Sequence, residues 1–256
     1  MRNLFHMDLY RMLKSRTVIV CAALALFFGL IETPLAKLLE MVVRTFSSDP
    51  LPATVKEVLF SDILKSPFPM VNAMIAMISV CSFFYSDHEG GYIKNIAGQM
   101  PKRGFTVLSK YLATIPHNLV FVILGILGNL LGTLPFVRVT AGNIPEGLLA
   151  LGLKFLLMQS ICSILVLVTG SFRAKSLGTV ISVLMGAGLL GLFYSAIDMA
   201  LHQIPFLKEF SIMPYMPDQL MGMAVPPTVR SLAVSAVVTA VFLPLAIRCF
   251  DRRDIK

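Results

Sequence analysis

Residues 111–136 read YLATIPHNLVFVILGILGNLLGTLPF, a run without a single Asp, Glu, Lys or Arg. About 20 mostly apolar residues suffice to carry an α-helix across the hydrocarbon core of a bilayer. This stretch therefore predicts a membrane-spanning helix. Working outward, comparable runs occur at Thr17–Leu38, Pro69–Tyr85, Gly147–Ser171, Leu177–Ile197 and Val229–Phe250. Together they predict an all-α polytopic membrane protein with six transmembrane helices.

Composition points the same way. Hydrophobic residues make up 56% of the 256 positions and charged residues only 14%, and the mean hydropathy is +0.80. Soluble domains carry about 25% charged residues, so a soluble chain of this kind would lack polar surface to cover its core. Lipid removes that requirement. With 18 Phe and no Trp, interface anchoring falls to Tyr, Lys and Arg. After the basic N-terminus and the apolar stretch from Val18 to Leu30 comes Glu32-Thr-Pro34. No small-residue cleavage site stands there, so a retained signal-anchor is expected.

The net charge of +8 would suit a nucleic-acid partner if it formed one stripe. Instead the basic residues cluster between runs. Arg2, Arg11, Lys14 and Arg16 precede the first, and Lys94, Lys102, Arg103 and Lys110 follow the second. Arg173 and Lys175 follow the fourth, and Arg248, Arg252, Arg253 and Lys256 end the chain. These are fourteen of the 22 Lys and Arg. All fall on one side if both termini are cytoplasmic, as the positive-inside rule requires. No nucleic-acid partner is expected.

Three non-spanning segments carry patterns of their own. In residues 1–16, Phe5, Leu9, Met12 and Leu13 share one helical face, with Asp8, Arg11 and Ser15 opposite. That pattern predicts an amphipathic interfacial helix. Residues 39–68 are expected to be external, as two short helices broken at Asp49-Pro-Leu-Pro52. Residues 198–228 carry Pro205, Pro214, Pro217, Pro226 and Pro227, too broken for a span, and predict short re-entrant or interfacial helices. The whole reads as one transmembrane domain.

Sites of chemistry are sparse. No GxxxxGK[ST], HExxH or GxSxG occurs in the sequence, so the chain has no phosphate-binding loop and no readable hydrolase motif. Cys21, Cys81, Cys162 and Cys249 lie singly in or beside apolar runs, and His6, His88, His117 and His202 are scattered. Neither disulfide nor metal site is expected. Glu32, Lys154 and Asp198 fall near outer ends of spans and are expected to snorkel to the interface. His117, Asn118, Asn129 and Gln159 are expected to hydrogen-bond between helices. Gly178, Ser182 and Gly186 form a narrow stripe at four-residue spacing, as do Gly128 and Gly132. Such stripes let helices approach closely, either within the chain or at a dimer face.

The loop 86–110 is the most informative cytoplasmic segment. Asp87 and Glu89 can open a short helix, Tyr92, Ile93 and Ile96 would share one apolar face, and Pro101 would end it. On spacing alone this is either a knob for a cytoplasmic partner or an inert interfacial loop. The loop resembles that of ABC-2-type permeases, the membrane subunits of bacterial ABC exporters. Glu89, Gly90, Gly91, the pair Lys94-Asn95, Arg103 and Lys110 fill the family's pattern. The tail Phe250-Asp-Arg-Arg-Asp254 is similar to its ending, the N-terminal helix to its elbow helix, and 198–228 to its external helices.

The resemblance implies that Glu89, Gly90, Gly91, Tyr92, Ile93, Lys94, Asn95, Ile96 and Arg103 form or flank a coupling helix that docks on a separate ATPase subunit. It implies no catalysis and no cofactor in this chain, with ATP and Mg bound by that partner. It further implies a second permease, identical or homologous, and a place in the bacterial cytoplasmic membrane. The cargo class it implies is hydrophobic or amphipathic: a peptide, toxin or lipid. The competing readings are an ion-coupled secondary transporter, which needs buried acids, and a non-transport immunity or scaffold protein.

Overall fold

The computed structural model describes residues 2–46, 57–65, 70–89, 104–172, 174–204, 206, 210–223 and 225–252. In chain order the elements are α1 (Arg2–Lys14), α2 (Arg16–Phe46), β1 (Glu57–Leu59), α3 (Phe60–Lys65), α4 (Met70–Glu89), α5 (Gly104–Thr133), β2 (Arg138–Thr140), α6 (Ile144–Leu165), α7 (Lys175–Gly186), α8 (Leu190–Leu201), α9 (Pro217–Gly222) and α10 (Thr228–Asp251). A π-helical turn, Val166–Ser171, continues α6, and a 3₁₀ turn, Met213–Tyr215, precedes α9.

The long helices follow from their composition: in lipid every backbone group must be paired inside its own segment, and a helix does this. α2, α5, α10 and α6 with its π-turn are each long and apolar enough to cross a membrane. Interior prolines at Pro34, Pro116 and Pro244 are tolerated in such helices.

Contacts along the helices give their directions. Thr33 bonds Thr133 at 2.9 Å and Asn129 bonds Glu32 at 3.1 Å, so α2 and α5 run parallel. Ser79 meets His117, and Lys110 lies over Phe83, so α4 runs antiparallel to α5. Cys81 meets Ser182, and Lys175 lies over Tyr85, so α7 is antiparallel to α4. The end of α10 meets the start of α5 through Asp251 and Gly104. One end of the bundle thus gathers α1, the starts of α2, α5 and α7, and the ends of α4 and α10.

α4 is the central helix. Ala73, Ala76, Met77, Val80 and Cys81 are all at or below 1% exposure. In the most apolar 18 residues of α10 only 11% are buried, against 61% in those of α6 with its π-turn. The outer faces of α2 and α10, with Ile19, Val20 and Phe27 or Val229, Val237 and Val241, are apolar surface that only lipid or another apolar partner can cover.

Several expectations need correction. The fifth run is not one straight helix: α7 and α8 meet at a bend of 81°, because the Ala187–Leu189 link includes Gly188 at φ 70°, a left-handed conformation that glycine adopts without strain. The second run yields an apolar helix, Val71–Ser86, shorter than the four spans.

The 39–68 segment is not two short helices. Its first part, as far as Phe46, is the continuation of α2, and Val58 and Leu59 lie in β1, which pairs in parallel with β2 in the register Val58 to Val139. Helical spacing of Val58, Leu59 and Ile63 was compatible with a strand followed by the single-turn helix α3, a case where short apolar runs are ambiguous. The loop between the second and third runs is also shorter than 86–110, since α4 extends to Glu89 and α5 begins at Gly104.

The amphipathic N-terminal helix is present, but its inward face is different. Leu4, Asp8 and Met12 are buried, whereas Leu13 and Tyr10 are exposed. Asp8 turns inward because Ser109 offers it a hydrogen bond.

Candidate functional site: the basic end and the broken span

At the basic end, side chains from three elements fasten the start of α5. The first four N–H groups of a helix lack intrahelical acceptors. Here the N–H of Gly104 donates to Asp251 Oδ1 of α10 at 2.6 Å, so the last helix caps the third long one. A Cβ on Gly104 would strike Ile247 and the Asp251 carboxylate, which explains glycine at this position. One turn on, Ser109 Oγ donates to Asp8 Oδ2 at 2.6 Å, and Arg11 stands 4.0 Å from the same carboxylate. Lys110 lies 5.3 Å from the ring centre of Phe83 and 5.5 Å from that of Phe84, and Lys175 lies 5.3 Å from that of Tyr85. Cation–π contacts of this kind contribute about 0.5–1 kcal/mol at exposed sites and more when desolvated.

These fastenings bracket the expected coupling segment. Glu89 is the last residue of α4, and Gly90, Gly91, Tyr92, Ile93, Lys94, Asn95, Ile96 and Arg103 lie outside the described residues.

The middle of the bundle holds a hydrogen-bond chain across α4, α5 and α6. Asn118 Nδ2 donates to Gln159 Oε1 at 2.9 Å, and Gln159 Nε2 donates to Thr114 Oγ1 at 2.7 Å. Thr114 in turn donates to the carbonyl of Tyr111. Asn118 Oδ1 is therefore left to accept from His117 Nδ1 at 3.1 Å, which assigns the ring proton to Nδ1. Nε2 then accepts from Ser79 at 2.6 Å. Each donor meets an acceptor, and the interhelical bonding expected of His117, Asn118 and Gln159 is present. Such bonds average about 0.6 kcal/mol each in membranes. This is architecture.

Glu32, Lys154 and Asp198 are each tied to protein. Glu32 accepts from Asn129. Lys154, 1% exposed, donates to the Lys65 carbonyl at 2.7 Å. Asp198 accepts from the N–H groups of Ile212 at 2.6 Å and Met213 at 3.3 Å, so it clamps the return segment after α8. Burial without such partners would cost several kcal/mol.

The small residues face neighbours in the same chain. A Cβ on Gly128 would come within 2.7 Å of the Leu26 carbonyl, and one on Gly132 would overlap that of Leu30. Gly178 sits against Thr169 and Cys81, and Ser182, buried, bonds Cys81 Sγ at 3.6 Å. Gly186 lines a cavity.

That cavity lies at the bend between α7 and α8. Ala73 and Met77 of α4, Met185 and Gly186 of α7, and Asp218, Met221 and Gly222 of α9 enclose about 10 Å³, room for one water. Asp218 is 4% exposed. Its Oδ2 accepts from Gln219 at 3.0 Å, while its Oδ1 has no hydrogen-bond partner among the described residues. Burial pushes this carboxyl above the usual carboxylate range, against the opposing effect of Gln219. The sequence reading missed Asp218. One signal could have found it: a single acid inside Met216-Pro-Asp-Gln-Leu-Met-Gly-Met223, with no Lys or Arg nearer than Lys208 and Arg230.

These features define a class: a multi-pass α-helical membrane protein, built around a buried central helix and carrying one sharply bent pair of apolar helices. No protein-family model matches the chain, and comparison with curated proteins finds no significant match.

Proposed function

We propose that the chain is the transmembrane permease subunit of an ATP-driven exporter in the bacterial cytoplasmic membrane. In this reading α4 and the α7–α8 pair complete six crossings, and the basic end faces the cytoplasm. Residues 89–103 dock on a separate ATPase that binds ATP and Mg, a second permease completes the pathway, and the cargo is hydrophobic or amphipathic. The observation that carries the reading is the fastening of both flanks of this segment. α4 and α5 enter and leave it, and the start of α5 is locked to α1 by Asp8–Ser109 and to α10 by Asp251–Gly104. A push on the segment would thus reach three helices at once.

The test is purification from the native membrane in mild detergent, with mass spectrometry of what accompanies the chain. A stoichiometric ATPase, lost when residues 89–96 are replaced, supports the reading. Glu89→Lys is expected to abolish transport with the fold intact. A chain that emerges alone in several detergents, or normal transport by Glu89→Lys, overturns it. The second reading, an ion-coupled carrier, is favoured by one observation: the buried, partly unpartnered carboxyl of Asp218.

A further inference from the structure

A buried carboxylate oxygen without a hydrogen-bond partner has few ways to be satisfied. Asp218, whose Oδ1 is such an atom, lines a cavity of about 10 Å³ whose other lining residues are Ala73, Met77, Met185, Gly186, Met221 and Gly222. A water there would need two to four polar partners, and this lining supplies one polar side chain. A hard cation such as sodium or calcium would need several oxygen ligands, and among the lining side chains only the Asp218 carboxylate offers any. A proton needs only the carboxyl itself.

We propose that Asp218 is a proton-binding site beside the α7–α8 bend, and that loss of its proton unseats α9 from α4 and α7. The inference goes beyond the exporter reading and does not rest on an ATPase partner.

Burial favours the neutral form of the carboxyl, and outweighs the hydrogen bonds from Gln219 and Tyr194, which favour the ionised one. α4 and α7 present Ala73, Met77, Met185 and Gly186, none of which carries charge. From α8, Tyr194 acts on the carboxyl as a neutral hydroxyl, and from α9 Gln219 donates to it. On α6, Lys154 is engaged by the carbonyl of Lys65, and Glu146 is paired with Lys65 at 2.9 Å. Cys162 of α6, a thiol, sits beside the Asn118 amide. Beside α9, Arg230 of α10 lies over Tyr215 of the 3₁₀ turn. None of these cations is among the groups acting on Asp218. Ionisation would leave an uncompensated charge in an apolar cavity, which a protein relieves by admitting water or by moving the segment.

The experiment uses the full chain in lipid nanodiscs. Dicyclohexylcarbodiimide, an apolar reagent that reacts with protonated carboxyls, is applied from about pH 5 to about pH 9, and labelled peptides are identified by mass spectrometry. The expected result is an adduct on Asp218 that falls about tenfold per pH unit above the carboxyl's midpoint. In parallel, amide exchange of residues 217–222, corrected for its intrinsic pH dependence, is expected to rise over the same range. In Asp218→Asn exchange should stay low throughout. No adduct at any pH, an adduct independent of pH, or the same exchange profile in Asp218→Asn overturns the proposal. So does protection of Asp218 by stoichiometric silver(I), which would mark a soft-metal site of carboxylate and thioethers. The wild-type titration stands alone if the variant fails to fold.

Discussion

Asp251→Ala removes the acceptor that caps α5 from the far end of the chain. The lost interaction is one N–H···O⁻ bond of 2.6 Å. Hydrogen bonds to charged groups contribute about 1.5–3 kcal/mol, and an anion at an exposed helix N-terminus about 0.3–1 kcal/mol. The Asp251 side chain is exposed, so the lower end applies, about 1.5 kcal/mol in all. That is roughly a tenfold increase in opening of the first turn of α5. Amide exchange measured in nanodiscs reads it directly: residues 104–107 should exchange about ten times faster, with α6 and the middle of α4 unchanged. Asp251→Asn, which keeps an acceptor without the charge, should lie between. Unchanged exchange at 104–107 in a folded Asp251→Ala chain would refute the capping argument. A uniform rise everywhere would show that Asp251 holds the whole fold.

Asp8→Ala should release α1 by removing the acceptor of Ser109, at about 1.5–3 kcal/mol; limited proteolysis within residues 2–14 then accelerates while the spans stay protected. Gly132→Ala should lower thermal stability markedly, since its Cβ meets the Leu30 backbone. Gly152→Ala, with nothing within 4 Å, should be neutral or gain up to about 1 kcal/mol; equal melting points for the two variants would sink the packing account. Asp218, raised by burial, contributes stability that is full below its unfolded-state pKa and is lost as pH rises through the folded one. Asp218→Asn should therefore raise the melting temperature relative to wild type at about pH 8 and leave the difference small near pH 4.

Long uncharged runs such as 111–136 and 231–247 announced their helices because in lipid apolar length decides the matter. The interior bonds of His117, Asn118 and Gln159 were legible for the same reason: a polar group there must find a partner. What escaped reading depended on a neighbour distant in sequence. Asp8 looked like the solvent side of an amphipathic helix until Ser109, a hundred residues on, gave it a reason to turn inward. Val58 and Leu59 fit helical spacing until β2 offered a strand to pair with. The break at Ala187–Leu189 hid inside an apolar run because Gly188 is tolerated in membrane helices and marks a turn only in its three-dimensional setting. Asp218 was overlooked because a proline-rich segment reads as exposed, whereas folding carries it against α4.

Mechanically, the α7–α8 pair is a crank. Each arm has 12 residues, about 18 Å, and the arms meet at 81°. Turning α7 about its own axis by about 20° would sweep the far end of α8 sideways by about 6 Å. α7 is keyed to α4 by Gly178 and Ser182, so a torque applied at the basic end would leave as a lateral stroke at Asp198, the pin joining α8 to the return segment. A straight span given the same rotation would move its tip nowhere.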